Sequence, residues 1–237
     1  MSGSRKSSIA RIFWFALLGF SLLLIWNSLP YFDFLPNHAF VSEKFSHWLE
    51  PLWRVCFYNH VAAGVVCLVS ALLSFSTTIL KRWPKVHRIS GRVYVFSVCL
   101  LLVPTGLYMS FFAKGGILGV VGFLLNGVLL FIPTVLGVRS ILARNITAHR
   151  RWMIRSYAMA ATAISFRVLH LVFAWFSAQH AYVAGIWGSV IVNALLAEFI
   201  IRYKHRKGVQ HEILSLWKSS YRCVSLWLGL HSSGRKP

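Results

Sequence analysis

Acidic residues are nearly absent from this chain. Five Asp and Glu stand against 25 Lys and Arg in 237 residues, a formal net charge of +20. Charge of either sign is scarce, at 13% of residues, roughly half the share of a soluble domain. That shortage excludes an ordinary soluble fold, which needs far more polar surface to cover a core of this size. Cysteine is limited to Cys56, Cys67, Cys99 and Cys223 with no Cys-x-x-Cys pair, so neither a disulfide framework nor a zinc site is expected. No Ala-x-Ala cleavage site follows the first apolar run, which therefore reads as an uncleaved helix. No internal sequence repeat suggests a transporter built from two halves. Glu198 is the one acidic residue inside an apolar stretch, too little to couple ion movement.

What is present is apolar: 57% of residues are hydrophobic and the mean hydropathy is +0.63. Six stretches satisfy the requirement of about 20 mostly apolar residues for a membrane-spanning helix. They cover 12–29, 60–80, 93–113, 117–138, 156–176 and 182–201. The basic residues fall between them, on alternate connections. One side receives the clusters around Arg5, Arg88, Arg150 and Lys204, whereas the other receives only Lys44, Arg54 and Lys114. The rich side is cytoplasmic by the positive-inside rule. This pattern, without a nucleic-acid-binding motif, removes nucleic acid as a partner.

The expectation is an all-α integral membrane protein, a bundle of six transmembrane helices with both ends in the cytoplasm. Residues 1–30 carry the first helix and 31–58 an outer, aromatic-rich loop. Residues 59–202 form a five-helix membrane core and 203–237 a basic cytoplasmic tail. Ile213, Leu216, Trp217, Tyr221, Val224 and Trp227 recur at helical spacing in the tail. They predict an amphipathic helix held by apolar burial and by anionic lipids of the cytoplasmic leaflet. A protein partner or a second copy of the chain stays open. Pro104 and Pro133 are expected kinks.

Ionisable groups within a bilayer are functional candidates, and His60, Arg167, His170 and Glu198 qualify. At 1.5 Å per residue, Arg167 lies about 18 Å from the inner end of its helix and Asn193 about 13 Å from the same surface. Arg167 is therefore expected to reach toward Asn193, and Glu198 toward Arg155 or Arg151. The bland alternative is that these groups only join two helices.

Two basic segments are more distinctive. One runs His87-Arg88-Ile89-Ser90-Gly91-Arg92-Val93-Tyr94 and the other His149-Arg150-Arg151-Trp152-Met153-Ile154-Arg155-Ser156-Tyr157. Each opens with His-Arg and closes with Arg and Tyr where a spanning helix starts. Together His87, Arg88, Arg92, His149, Arg150 and Arg155 predict a cationic platform with two imidazoles. It is suited to a phosphate, a lipid headgroup, a quinone or a metal centre. Histidines on different helices also raise haem b, with His60, His87, His149 and His170 as possible ligands.

With His60-Val61-Ala62-Ala63-Gly64 and Phe166-Arg167, these strings resemble a bacterial family of predicted membrane proteins, the domain-of-unknown-function family twenty-three-oh-six. The likeness covers about residues 55–201 and implies a bacterial cytoplasmic membrane location, with no activity attached. A looser likeness to six-helix transmembrane b-type cytochromes implies haem on the central helices. Three functions therefore remain open. The first is binding of a small anionic or redox-active ligand at the His/Arg platform, with Arg167, Asn193 and Glu198 behind it. The second is haem-linked electron transfer, which would make the chain a membrane oxidoreductase. The third is a structural or assembly role.

Overall fold

The computed structural model describes residues 15, 18–35, 38–177 and 179–227, with residues 39, 40 and 205–227 as backbone only. Every regular element among them is helical. Helix α1 occupies 18–28 and runs into a 3-10 turn, Leu29–Asp33. The short α2 (Ala39–Glu43) and α3 (Phe45–Trp48) lead to α4, Pro51–Ser74. Next come α5 (Thr77–Arg82) and α6 (Pro84–Phe96), then a π-helical stretch, Ser97–Leu102, that continues into α7, Val103–Ser110. The chain goes on through α8 (Gly116–Leu142), α9 (Ile146–Ala160) and α10 (Thr162–Ala174) to α11, Ala181–Trp227. Two compact units divide the chain, residues 1–195 and 196–237. The described residues of the second, 196–227, are helical.

Local chemistry sets these boundaries. Pro51 and Pro84 open α4 and α6 at the position where a missing N–H costs nothing. Ser76 caps α5 by accepting from the Ile79 N–H, and Asn145 caps α9 by accepting from Ala148 at 2.9 Å. Gly115 and Gly116, at φ +85° and +61°, make the turn before α8.

Four helical stretches are long and apolar enough to cross a membrane: Pro51–Ser74, Pro84–Ser110, Gly116–Leu142 and Ala181–Lys204. The pair α9 and α10, bent by 42°, passes together as a fifth. The expected first span starts outside the described residues, although 18–28 is helical.

Several boundaries differ from the sequence reading. The span expected at 60–80 is Pro51–Ser74, so the aromatic loop ends earlier. Pro51 starts the helix, and Trp53 and Phe57 turn inward against Val41, Tyr31 and Phe112. The two basic segments do not lie between helices but within α6 and α9. The span expected at 156–176 breaks between Ala160 and Thr162. The π-helical stretch ends just before Pro104, which sits in the first turn of α7, whereas α8 runs through the buried Pro133 as a single helix. In the tail the helix is continuous with α11 to Trp227; its side chains, and residues 228–230, lie outside the described residues.

The core of the first unit joins α4, α6, α8 and α9 around Tyr94, Val98, Cys67 and Met159. A polar relay crosses it. Thr134 donates to the Leu130 carbonyl at 2.7 Å, which leaves its oxygen to accept from Ser156 at 2.7 Å. Ser156 in turn accepts from the Tyr94 hydroxyl at 2.7 Å. Every member is satisfied, the condition for burying hydroxyls in an apolar core. Phe75, just past α4, stacks on Tyr157 at 4.4 Å.

Candidate functional site

His87 and His149 are each the fourth residue of their helices, α6 and α9. Both imidazoles turn back onto the preceding long helix. His87 Nδ1 lies 2.8 Å from the carbonyl of Ser74, the last residue of α4. His149 Nδ1 lies 2.9 Å from the carbonyl of Gly137 in α8. A carbonyl only accepts, so Nδ1 carries the proton in both rings. The Ser74 carbonyl lies in the last turn of α4, where helical partners run out, and His87 supplies one. At Gly137 the absence of a side chain matters: a Cβ there would come within 2.6 Å of Met153 Sδ. Glycine lets α9 approach closely enough for the imidazole to reach the backbone.

The chain thus contains a repeated hairpin that sequence comparison within the chain did not disclose. A long helix runs to the basic end, and a histidine in the first turn of the returning helix latches onto it. The Tyr94–Ser156 hydrogen bond joins the two returning helices seven residues further along each.

The arginines distribute around these latches. Arg88, Arg92 and Arg150 are exposed and Arg155 is half-buried. The Arg155 guanidinium lies 4.6 Å from the centre of the Trp152 ring, a cation–π arrangement that holds its plane. Arg151 and Arg155, one helical turn apart, line a cavity of about 350 Å³ together with Trp152, Thr147, Ala148 and Asn145. Arg92 lines a different cavity, between α4 and α6. Reading the sequence missed Arg151, Thr147 and Asn145 as lining residues. The i, i+4 spacing of Arg151 and Arg155 was the available signal.

Deeper in the bundle the expected partners change. Asn193 does not bond Arg167. Its Nδ2 donates to Thr162 Oγ1 at 3.1 Å and to Ser165 Oγ at 2.7 Å, two short side chains at the start of α10. The Arg167 guanidinium folds back onto its own helix and donates to the Ala163 carbonyl at 2.6 Å. Glu198 belongs to the second unit, and its pairing with Arg155 or Arg151 stays a proposal.

The four histidines raised as metal ligands sit at four different helix pairs. His60 Nδ1 lies 3.0 Å from the Leu102 carbonyl and 3.3 Å from Thr105 Oγ1. His170 packs against Gly185 and stacks on Phe166. Among the described residues, no group of three or more His, Cys, Asp or Glu could hold a metal ion.

The family described as a predicted membrane protein (DUF2306) matches residues 57–201, more than half of the chain. That stretch contains α6, α8, α9, both histidine latches and the cavity at the start of α9. No curated protein and no solved structure matches the chain.

Proposed function

The chain belongs to the DUF2306 family of predicted membrane proteins, and on that premise we propose that it binds a small anionic ligand at its basic end. The observation that carries this reading is the cavity of about 350 Å³ lined by Arg151, Arg155, Thr147 and Asn145. Two guanidinium groups one turn apart offer forked donors that match a phosphate or carboxylate. The Trp152 ring beside Arg155 favours one orientation of that fork. The start of α9 adds the positive end of a helix dipole. In this reading Arg88, Arg92 and Arg150 add positive charge at the starts of α6 and α9, and His87, His149, Arg167, Asn193 and Glu198 complete the set of candidate residues.

In this reading the chain spans a bacterial cytoplasmic membrane six times with both ends inside. The tail is an amphipathic helix on the inner leaflet. The asymmetry of Lys and Arg between alternate connections supports that orientation.

Titration of the full chain in neutral phosphatidylcholine nanodiscs with inorganic phosphate or pyrophosphate tests the site. Saturable binding is expected for the parent, with loss in Arg151→Gln and in Arg155→Gln but not in Arg144→Gln. Binding that is unsaturable, or equal in all four proteins, removes the site.

A second reading, haem-linked electron transfer, draws on one observation. His60, His87 and His149 each commit Nδ1 to a backbone carbonyl, the orientation that frees Nε2 for a metal. A reduced-minus-oxidised spectrum of the full chain, expressed with ample haem, decides it. Absence of haem bands ends this reading and leaves the anion site standing.

A further inference from the structure

A second cavity, of about 440 Å³, lies between α4 and the α6–π segment. It is unlike the first. Its lining is apolar apart from Arg92, Ser97 and Asn59. Ala62 and Ala63 on α4 are small enough to leave the space open. Val66, Val93 and Phe96 border it and are exposed, so the groove opens sideways from the helix bundle. In a membrane protein such a side faces lipid chains rather than water.

Arg92 is the cation at this groove. It stands one turn before Phe96 and one turn after Arg88, so Arg88, Arg92 and Phe96 follow one another along one face of α6. The groove therefore has a charged end toward the start of α6 and an apolar body extending along the bundle toward Leu101 and Asn59. Among the described residues no ion pair or hydrogen bond engages Arg88 or Arg92. Two ion pairs, Asp33 with His38 and Glu43 with Lys114, belong to the aromatic end. Arg92 is thus available to a charge from outside the chain, and an amphiphile has the matching shape: an anionic head and a long apolar chain. The π-helical stretch Ser97–Leu102 borders the same groove. Such widened turns recur at functional sites.

We propose that the groove between α4 and α6 holds one chain of an anionic membrane lipid, with the lipid phosphate on Arg92. This site is separate from the cavity at Arg151 and Arg155 and does not rest on it.

The test is lipid retention by the full chain, released from nanodiscs and weighed by native mass spectrometry. The two probes are dioleoyl phosphatidylglycerol and dioleoyl phosphatidylcholine, which share their chains and differ in charge. The parent is expected to retain phosphatidylglycerol about tenfold more tightly, the effect of one charged hydrogen-bonding partner. Arg92→Gln removes that preference. Val66→Trp, a substitution at an exposed position that fills the groove, lowers retention of both lipids. Inorganic phosphate in excess leaves the bound lipid in place. Equal retention of the two lipids by the parent overturns the proposal, as does a preference that survives Arg92→Gln. A preference lost in Arg151→Gln and kept in Arg92→Gln moves the lipid to the other cavity and overturns it as well. Displacement by inorganic phosphate alone does the same, because it leaves the apolar body of the groove without a part. Arg92 is exposed, so its variant is expected to unfold as the parent does, which keeps the result readable even if Val66→Trp folds poorly.

Discussion

The Tyr94 hydroxyl donates to Ser156 Oγ at 2.7 Å between two fully buried side chains, each the eleventh residue of its helix. The bond ties α6 to α9 at the same distance along each helix, seven residues past His87 and His149. The two hairpins could otherwise slide past one another, because aliphatic packing in a lipid environment is tolerant of register.

Removal of the two partners should not be equivalent. Tyr94→Phe deletes the first donor of the relay and leaves Ser156 bonded to Thr134. Ser156→Ala leaves the buried Tyr94 hydroxyl without a partner, which costs about 1–3 kcal/mol. Tyr94→Phe is expected to cost nearer the ~0.6 kcal/mol average of interhelical polar contacts in membranes. Equilibrium unfolding in mixed micelles measures both, and an equal cost would show that the relay direction is wrong.

The histidine latches make a second comparison. Asn places a side-chain amide close to where Nδ1–H sits, and Ala does not. His87→Asn and His149→Asn are expected to keep most of the stability, whereas each Ala variant loses about 1 kcal/mol, a typical net hydrogen bond. If Asn and Ala variants lose the same amount, the carbonyl contacts to Ser74 and Gly137 contribute nothing.

Much of this was legible in the sequence, and what was not has physical causes. Apolar runs revealed four candidate spans, and a fifth as the bent pair α9 and α10, because hydrocarbon demands length and low charge. The parallel His-Arg segments pointed to His87 and His149. Their partners, Ser74 and Gly137, were invisible because a backbone carbonyl has no sequence signature. The start of α4 was misread because Arg54, Asn59 and the aromatics before His60 dilute its hydropathy, although Pro51 marks the first turn. Arg167 and Asn193 were paired by depth alone, which carries no information about rotation around the helix axis. Thr162 and Ser165 occupy the face that meets Asn193, while Arg167 bonds its own helix.

Two glycines should respond in opposite directions to the same change. A Cβ on Gly106 would come within 2.8 Å of His60 Cε1, a ring held by Leu102 and Thr105. A Cβ on Gly64 would make an ordinary contact of 3.9 Å with Leu102. Gly64→Ala is expected to be neutral or to stabilise by up to about 1 kcal/mol through helix propensity. Gly106→Ala is expected to destabilise by about 1–3 kcal/mol through overpacking. A His60→Ala background should relieve the Gly106→Ala cost, and a double-mutant cycle gives the coupling directly.

The pH response of the aromatic end follows from Asp33. Its carboxylate accepts from the Leu35 N–H at 2.8 Å and from His38 Nε2 at 2.9 Å. The backbone N–H first, and then the His38 side chain, hold the carboxyl below its ordinary value. A group with a lowered folded value contributes stability above its unfolded value and loses it as pH falls through the folded one. The stability gap between the parent and Asp33→Asn should therefore be present at neutral pH and close progressively below about 4. A gap that widens as the pH falls below about 4 would contradict this assignment.

The cavity at the start of α9 separates charge from geometry. Arg155→Lys retains the positive charge but loses the planar fork and weakens the contact with the Trp152 ring. If the ligand is a phosphate or carboxylate held by two donors from one guanidinium, Arg155→Lys should bind almost as weakly as Arg155→Gln. If the cavity only concentrates anions by its field, lysine should restore nearly full affinity. Trp152→Leu adds a second arm, since it removes the surface that orients Arg155 while leaving every charge in place. About a tenfold loss in both Arg155→Lys and Trp152→Leu, one 1.4 kcal/mol step, is the expected result for a geometric site. The check is phosphate titration of the four proteins at two ionic strengths. A purely electrostatic effect shrinks with added salt across the Debye length, and a forked contact persists.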